Sequence, residues 1–353
     1  MRTPQAVMVY GAGGHTGGFV VDELVRRGLT PVLAGRGAER LAGVASRHPR
    51  LEVRVVGVDD AARSRAALDG VAVVVNCAGP FLDTAEPLAS AAVAAGAHYL
   101  DVTAEQPAVQ HLYERLDAPA RAAGVAVVPA MAFYGGLADL LVTAVLDGER
   151  GADSVEVAVG LDHWWPTAGT RVTGERNTAT RLVVRGGRLV PLADPAPTGR
   201  WAFPAPLGEQ PVVELPFSEV VTVTRHLAVG ELTSYLSSAP LAELRDDRTP
   251  PPPGDGARSP QRFVVDVAVR RGGTTHRTAV AGQDIYAVSA PILAEGVVRL
   301  LDGRVRGAGA LAPAEAFDAA DVLADLEAHP AGLTTARPEA QPAALAADPL
   351  PGR

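Results

Sequence analysis

The chain contains no lysine; all 32 of its basic side chains are arginine. That absence removes whole classes of chemistry. The chain cannot form a Schiff base with a carbonyl substrate or with pyridoxal phosphate. It cannot place a P-loop lysine on a phosphate, and a tyrosine–lysine proton relay cannot be built. Cysteine is almost as scarce. The single Cys77 excludes an internal disulfide, a thiolate zinc cluster and a four-cysteine iron–sulfur site. No apolar run approaches the roughly 18 residues that a membrane helix needs. No leader is expected ahead of Ala6, where an apolar strand already begins. Long basic blocks are missing as well. With 40 acidic against 32 basic side chains the formal charge is −8, so nucleic acid meets no electrostatic footprint. These absences lead us to expect a cytoplasmic protein with a small-molecule substrate and no nucleic-acid or membrane partner.

What is present is globular. The 353 residues are 47% hydrophobic and 20% charged, enough for a sizeable core and about two domains. The first 130 residues alternate apolar runs with amphipathic stretches. Strands are expected at Ala6–Tyr10, Pro31–Ala34, Leu51–Val58, Val71–Asn76, Ala97–Val102 and Val125–Pro129. Helices are expected at His15–Arg27, Ala38–Arg47, Ala61–Leu68, Ala85–Ala95 and Pro107–Ala123. Continuous apolar strands separated by helices imply a parallel sheet covered on both faces, a Rossmann-like doubly wound α/β fold. After a helix at Leu137–Leu146 the texture changes. Ser154–Leu161, Thr180–Leu192, Gln210–Leu215, Val220–Thr224 and Arg262–Arg270 are rich in β-branched alternation, which predicts a second α/β domain with a mainly antiparallel sheet. Its free face offers a surface for a homodimer. Thr249–Pro260 is too rich in proline and glycine to pair and is expected to be an exposed loop. Ile285–Leu301 is an amphipathic helix. The expected organisation is 1–135 for nucleotide binding, 136–281 for substrate and dimer contacts, 282–329 for helices returning to the first domain, and 330–353 as a disordered tail.

The informative motif is Gly11-Ala12-Gly13-Gly14-His15-Thr16-Gly17, at the first strand–helix junction. Early glycines permit a tight turn and close approach of a pyrophosphate, and Gly17 lets the helix sit close to the sheet. The helix N-terminus offers unpaired amides and a partial positive charge. A site for NAD usually carries an acid after the second strand. Here Arg36 stands at that point, with Arg40 one turn on. A guanidinium there can fork onto a 2′-phosphate, which points to NADP(H). Asp59 or Asp60, just past the third strand, could accept from the adenine amino group. Asn76, Ala78, Gly79 and Pro80, at the end of the fourth strand, are expected to border the nicotinamide ribose. Cys77 among them has no paired base and reads as a packed thiol.

Four segments occur in order: the glycine loop, Val32–Arg36 (VLAGR), Asn76–Phe81 (NCAGPF) and His98–Glu105 (HYLDVTAE). Together they resemble the NADP-binding domain of the saccharopine dehydrogenase-like family. Gly282–Leu301, followed by Ala312–Glu315, is similar to that family's closing helix and tail. The resemblance implies an NADP(H)-dependent oxidoreductase with an inserted substrate domain. The family includes saccharopine-forming imine reductases and trans-acting enoyl reductases. In Ala132–Asp139, Tyr134 replaces an acid of the family pattern.

Hydride transfer asks the protein for orientation, dryness and a proton path. The catalytic candidates are His98, Tyr99 and Asp101 on the fifth strand, with Glu105 following it as a further proton group, and Tyr134 in a glycine-flanked loop. Strand alternation puts Tyr99 and Asp101 on one face and His98 on the other. The substrate candidates lie in Asp162–Thr178. Trp164 and Trp165 would form an apolar wall, with Arg171, Arg176 and Asn177 as polar contacts for a substrate that could carry a carboxylate. No metal site is expected. The leading expectation is a reductase acting on a C=N, C=C or C=O bond. The alternatives are an imine reductase that condenses its two substrates first, a trans-acting enoyl reductase on a carrier-bound substrate, and a non-catalytic NADP-sensing module.

Overall fold

The computed structural model describes residues 6–254, 256–330 and 332–336. Strands β1 (Ala6–Tyr10), β2 (Val32–Gly35), β3 (Val53–Val55), β4 (Val71–Asn76), β5 (His98–Asp101) and β6 (Ala126–Val128) run parallel. Their order is β3-β2-β1-β4-β5-β6, so the winding reverses between β1 and β4. That reversal opens a crevice at the carboxyl ends of the strands. Alternation along β1 shows why both faces are covered. Val7 and Val9 join one buried cluster, while Met8 and Tyr10 join another.

The second domain follows in chain order: β7 (Gly151–Leu161), β8 (Leu182–Arg185), β9 (Arg188–Pro191), β10 (Thr198–Ala202), β11 (Glu209–Glu214), β12 (Ala228–Ser237), β13 (Arg262–Arg271) and β14 (Thr274–Gln283). β15 (Gly309–Ala310) returns to the first sheet as a seventh parallel strand beside β6. β16 (Thr334–Ala336) is the far edge of the second sheet. That sheet runs β10-β11-β12-β7-β13-β14-β16, with β8 and β9 attached to β12. Every pair in it is antiparallel except β12 with β7. The helix Gly135–Leu146 fills its inner face, and one buried cluster runs from Val9 through Leu140 to Val157 and Val267. The two domains therefore share a core. The closing helix Ser289–Leu301 packs on the opening helix His15–Arg26, and Arg27 pairs with Glu295 at 2.7 Å across them.

Several expectations need correction. Val220–Thr224 is not a strand but part of the helix Glu219–His226. Its β-branched run suggested period two, yet Val220 and Val223 share one helical face in the core. Thr222 Oγ1 also donates to Gly135 O at 3.2 Å. The helix expected from Ala85 starts at Phe81. Its first amides are held by a distant carboxylate, Glu105, which accepts from Phe81 N and Leu82 N at 2.9 and 3.3 Å. Strands β10, β12, β14, β15 and β16 had no counterpart in the expected set. The expected tail begins ordered, because Leu333 is buried and Thr334–Ala336 pairs with β14. The rest of that tail, 337–353, lies outside the described residues. Thr249–Pro260 carries no helix or strand among its described residues.

One polar pair ties three segments of this core. The fully buried Asp139 accepts from His226 Nε2 at 2.7 Å and from Ala314 N at 2.8 Å. Burial opposes the charged ring, but the Asp139 carboxylate outweighs it and raises the His226 pKa above its ordinary 6.5. The stabilisation is then full below the unfolded value and fades as pH rises through the folded one. His226→Ala should cost about 1–3 kcal/mol near pH 6. By pH 9 the penalty should be smaller, as read by urea unfolding. An equal penalty at both pH values would contradict the assignment.

Candidate active site

The glycine loop is built as tightly as its sequence suggests. Gly11 has a positive φ of 82°, and its N–H donates to Ala34 O at 2.8 Å. A Cβ on Gly11 would stand 2.8 Å from Ala78 N, so the loop and the end of β4 touch through backbone. A Cβ on Gly13 would meet Arg40 Cβ at 2.8 Å, which places Arg40 as a brace beneath the loop. Gly14 is exposed and caps the opening helix without any side-chain hydrogen bond. The amides of that first turn, from His15 and Thr16 onward, are left for a ligand. His15 packs edge-on to Phe19 and Tyr286, with centroids at 5.0 and 5.5 Å. Its Nε2 is buried without a partner, and burial lowers its pKa, so it stays neutral.

Beside the loop lies a cavity of about 670 Å³ lined by Arg36, Asp59 and Arg63, among others. Neither Arg36 nor Arg63 makes a side-chain hydrogen bond or ion pair among the described residues. Arg54, on the same wall, is occupied by Glu52 and by the carbonyls of Ala67 and Asp69. Tyr10 Oη is buried without a partner. Burial raises its pKa, and it feels the charges of both Arg36 and Asp59. Unused cationic donors and an orphaned hydroxyl, next to bare helix amides, fit the adenosine end of a dinucleotide bearing an extra phosphate.

The carboxyl ends of β4 and β5 are wired together. Asn76 donates to Tyr99 Oη at 3.0 Å and accepts from Ala78 N at 3.0 Å. Tyr99 Oη donates to Asp101 Oδ2 at 3.0 Å, and Asp101 Oδ1 accepts from Thr103 N and Ala130 N at 3.0 and 2.7 Å. Asn76, Tyr99 and Asp101 are fully buried. Burial pushes the Asp101 carboxyl up to about 6, against its backbone partners. Cys77 is likewise raised by burial, and by Asp101, so the thiol stays protonated. His98 sits at the other end of β5, about 10 Å from Asp101 at strand rise. Its Nδ1 accepts from Ala126 N at 2.9 Å, and burial keeps the ring neutral. His98 is therefore separated from the crevice by the length of the strand.

The segment Asp162–Thr178 crosses from the second domain onto the first. Trp164 is buried, and its Nε1 donates to Tyr286 Oη at 3.0 Å. Tyr286 Oη also accepts from Thr167 N at 3.3 Å and bonds Thr170 Oγ1 at 2.9 Å. Tyr286 thus joins His15 of the glycine loop to the segment above it. The helix Ala168–Arg176 buries none of its residues and lies over the crevice. Thr173 Oγ1 would stand 2.9 Å from a Cβ on Gly79, next to Pro80, and Arg176 pairs with Asp83 through both nitrogens at 2.6 and 3.0 Å. Arg171 donates to the carbonyls of Leu244, Asp246 and Thr249 at 3.0, 3.1 and 3.0 Å. Both arginines chosen for substrate are thereby engaged with protein. Trp165 stacks on His163 at 5.4 Å rather than beside Trp164, and Asn177 ends the helix through its backbone.

Tyr134 stands at the carboxyl edge, after β6. Its ring stacks on Phe217 at 4.2 Å and lies 6.4 Å from Trp164. Its Oη is buried without a partner, and burial holds the phenol well above its ordinary pKa. Sequence reasoning missed Arg63, Gln106, Arg181, Phe217 and Tyr286. Only Tyr286 lay in a segment with a family signal; the others meet the site through folding alone. Among the described residues no cluster of His, Cys, Asp or Glu could hold a metal, and no helix is long and apolar enough to cross a membrane.

The family model for the saccharopine dehydrogenase NADP binding domain matches residues 7–128. The match falls within the first domain of this chain. A Bos taurus saccharopine dehydrogenase-like oxidoreductase is 30% identical over 157 residues, which cover 39% of this chain and 37% of that protein. A Caenorhabditis elegans lipid droplet localized protein is 33% identical over 147 residues, 38% of this chain and 34% of its own length. The chain thus spans little more than a third of the curated relatives it matches. Apo saccharopine dehydrogenase (L-Glu forming) from Saccharomyces cerevisiae shares the fold, with a TM-score of 0.68 at 12% identity over 94% of this chain and 99% of that one. The fold likeness takes in the second sheet, whereas the family match stays in the NADP-binding domain.

Tyr286 gives the site its most exposed test. Tyr286→Phe removes the acceptor for Trp164 Nε1 and Thr167 N and should cost about 1–3 kcal/mol. Trp164 emission should change in step. An unchanged melting temperature and spectrum would show that the joint is not made.

Proposed function

We propose that the protein is an NADP(H)-dependent reductase that delivers hydride to a C=N, C=C or C=O bond of a small organic substrate held between its two domains. The observation that carries this reading is the pairing of an uncapped helix start with an adjoining cavity in which two guanidinium groups are unused. In this reading the loop Gly11 to Gly17, with Gly13 and Gly14 at its turn, seats the pyrophosphate, and the unpaired amides of His15, Thr16 and Gly17 donate to it. Arg36 and Arg63 take the 2′-phosphate, and Asp59 accepts from the adenine amino group. Arg40 braces Gly13 instead of contacting the ligand. Ala78, Gly79 and Pro80 leave room for the nicotinamide ribose. NADPH, when bound, supplies the hydride.

The chain's own residues then orient and dry the site. Asn76, Tyr99 and Asp101 act as a buried frame that fixes the ends of β4 and β5. His98 has no part in the chemistry. Tyr134 is the one catalytic candidate of the four whose hydroxyl is unspent. Burial keeps it protonated, so its Oη–H is the donor available to a substrate heteroatom. The helix Ala168–Arg176 excludes water from above.

NADPH fluorescence titration tests the reading. The wild type should bind NADPH at least tenfold more tightly than NADH. Arg36→Ala and Arg63→Ala should each weaken NADPH by about tenfold, one charge-assisted pair, and leave NADH unchanged. Equal affinities for the two coenzymes in the wild type, or no binding of either, would refute it.

A further inference from the structure

The crevice keeps one guanidinium in reserve. Arg181 stands at the start of β8, and the next residue is bolted to the first domain. Leu182 N–H donates to Gln106 Oε1 at 2.8 Å, and Gln106 Nε2 donates to Leu182 O at 2.9 Å. Gln106 opens the helix that follows β5, so this double bond fixes Arg181 at the carboxyl edge of the parallel sheet. The side chain is half-buried. Its Nη1 donates to Pro216 O at 2.6 Å, and its guanidinium carbon lies 4.9 Å from the centre of the Phe217 ring. No carboxylate comes within ion-pair reach of it among the described residues.

A guanidinium offers five N–H donors, and here one is engaged. Half-buried charge is ordinarily paired, because desolvation without a partner costs free energy. Arg171 and Arg176 obey that rule with carbonyls and with Asp83. Arg181 does not, and burial lowers its pKa as a result, with Glu219 opposing only in part. A second, independent feature points to the same place. The Phe217 ring that carries Arg181 also carries Tyr134, stacked at 4.2 Å, whose buried hydroxyl has no partner. Trp164 continues the row of rings toward Tyr286 and the glycine loop. The walls are flat and apolar, and the unspent polar groups are the Arg181 cation, the Tyr134 hydroxyl and Oε2 of Glu219, a carboxyl whose pKa burial pushes up.

We propose that Arg181 anchors a carboxylate on a substrate whose remaining part is flat and apolar, with Phe217, Tyr134 and Trp164 as its wall. The Tyr134 hydroxyl donates to a second acceptor on the same molecule. The inference deepens the reductase reading and rests on it only for what happens to the bound molecule. Binding is a property of the crevice itself.

Isothermal titration of the full chain, with and without NADP+, uses three probes: trans-cinnamate, its neutral isostere cinnamamide, and succinate. Cinnamate should bind the wild type at least tenfold more tightly than cinnamamide, and more tightly than succinate. Arg181→Gln should erase the gap between cinnamate and cinnamamide. Arg181→Lys should restore part of it, and both variants should keep wild-type NADPH affinity, which also reports that they are folded. No cinnamate binding, equal binding of the acid and the amide, tighter binding of succinate, or an undiminished gap in Arg181→Gln would overturn the proposal. Cinnamate held by Arg181 in a protein that binds no NADPH would uphold the anchor and remove the reductase reading alone.

Discussion

Gly17 has no room for a side chain. A Cβ there would lie 2.2 Å from the carbonyl oxygen of Gly11, well inside any permitted contact. That close approach lets the opening helix start directly behind β1, with Gly14 as a cap that contributes no side-chain oxygen. The first-turn amides are left unpaired at the reversal point of the sheet, where the strand ends diverge. A larger residue at position 17 would push the helix off the strand and move those amides. The cavity lined by Arg36 and Arg63 depends on the same turn, because β2 ends against Gly11 through the bond to Ala34 O.

The second domain is joined to this turn by polar contacts concentrated in a few side chains. Tyr286 collects three hydrogen bonds at one oxygen. Gln106 pairs with Leu182 as if it were a strand, and Asp139 binds one helix end to the returning segment. Arginine, the only strong base in the chain, is divided by its surroundings. Arg171 and Arg176 fasten the covering helix, and Arg54 props the edge beside β3. Arg36, Arg63 and Arg181 keep donors unspent, the first two on the wall of one cavity and the third beside Phe217. Around the crevice, the arginines that have spent their donors fasten the structure, and the proposed ligand contacts fall on the three that have not.

Most of the first domain was legible because its signals are local. VAVVVN and the glycine loop each declare a strand and its exit within a few residues. The second domain was harder, because its strands draw their partners from far along the chain. The run Val220–Thr224 favours a strand by propensity, and only its packing on the helix Gly135–Leu146 makes it helical. Helix Phe81–Ala94 hid its start because its capping carboxylate comes from Glu105. The same reason governs the site. Arg171 and Arg176 drew attention by standing near tryptophans in sequence, yet folding gives them other partners. His98 looked polar and strand-borne, but direction along β5 puts it at the wrong end. Arg181 sat in a run that read as plain strand, and nothing in its neighbours showed that Gln106 would hold it over the crevice.

In the proposed function the free amides at the helix start, from His15 to Gly17, form the seat of a dinucleotide whose extra phosphate lies between Arg36 and Arg63. A crystal structure of the full chain with NADPH tests it most directly. The account requires the pyrophosphate within hydrogen-bond distance of the loop amides and the 2′-phosphate within reach of both guanidinium groups. It also requires the nicotinamide to lie under the helix Ala168–Arg176, on the Tyr134 side of the cleft. A coenzyme bound elsewhere, or one whose 2′-phosphate touches neither arginine, would contradict it.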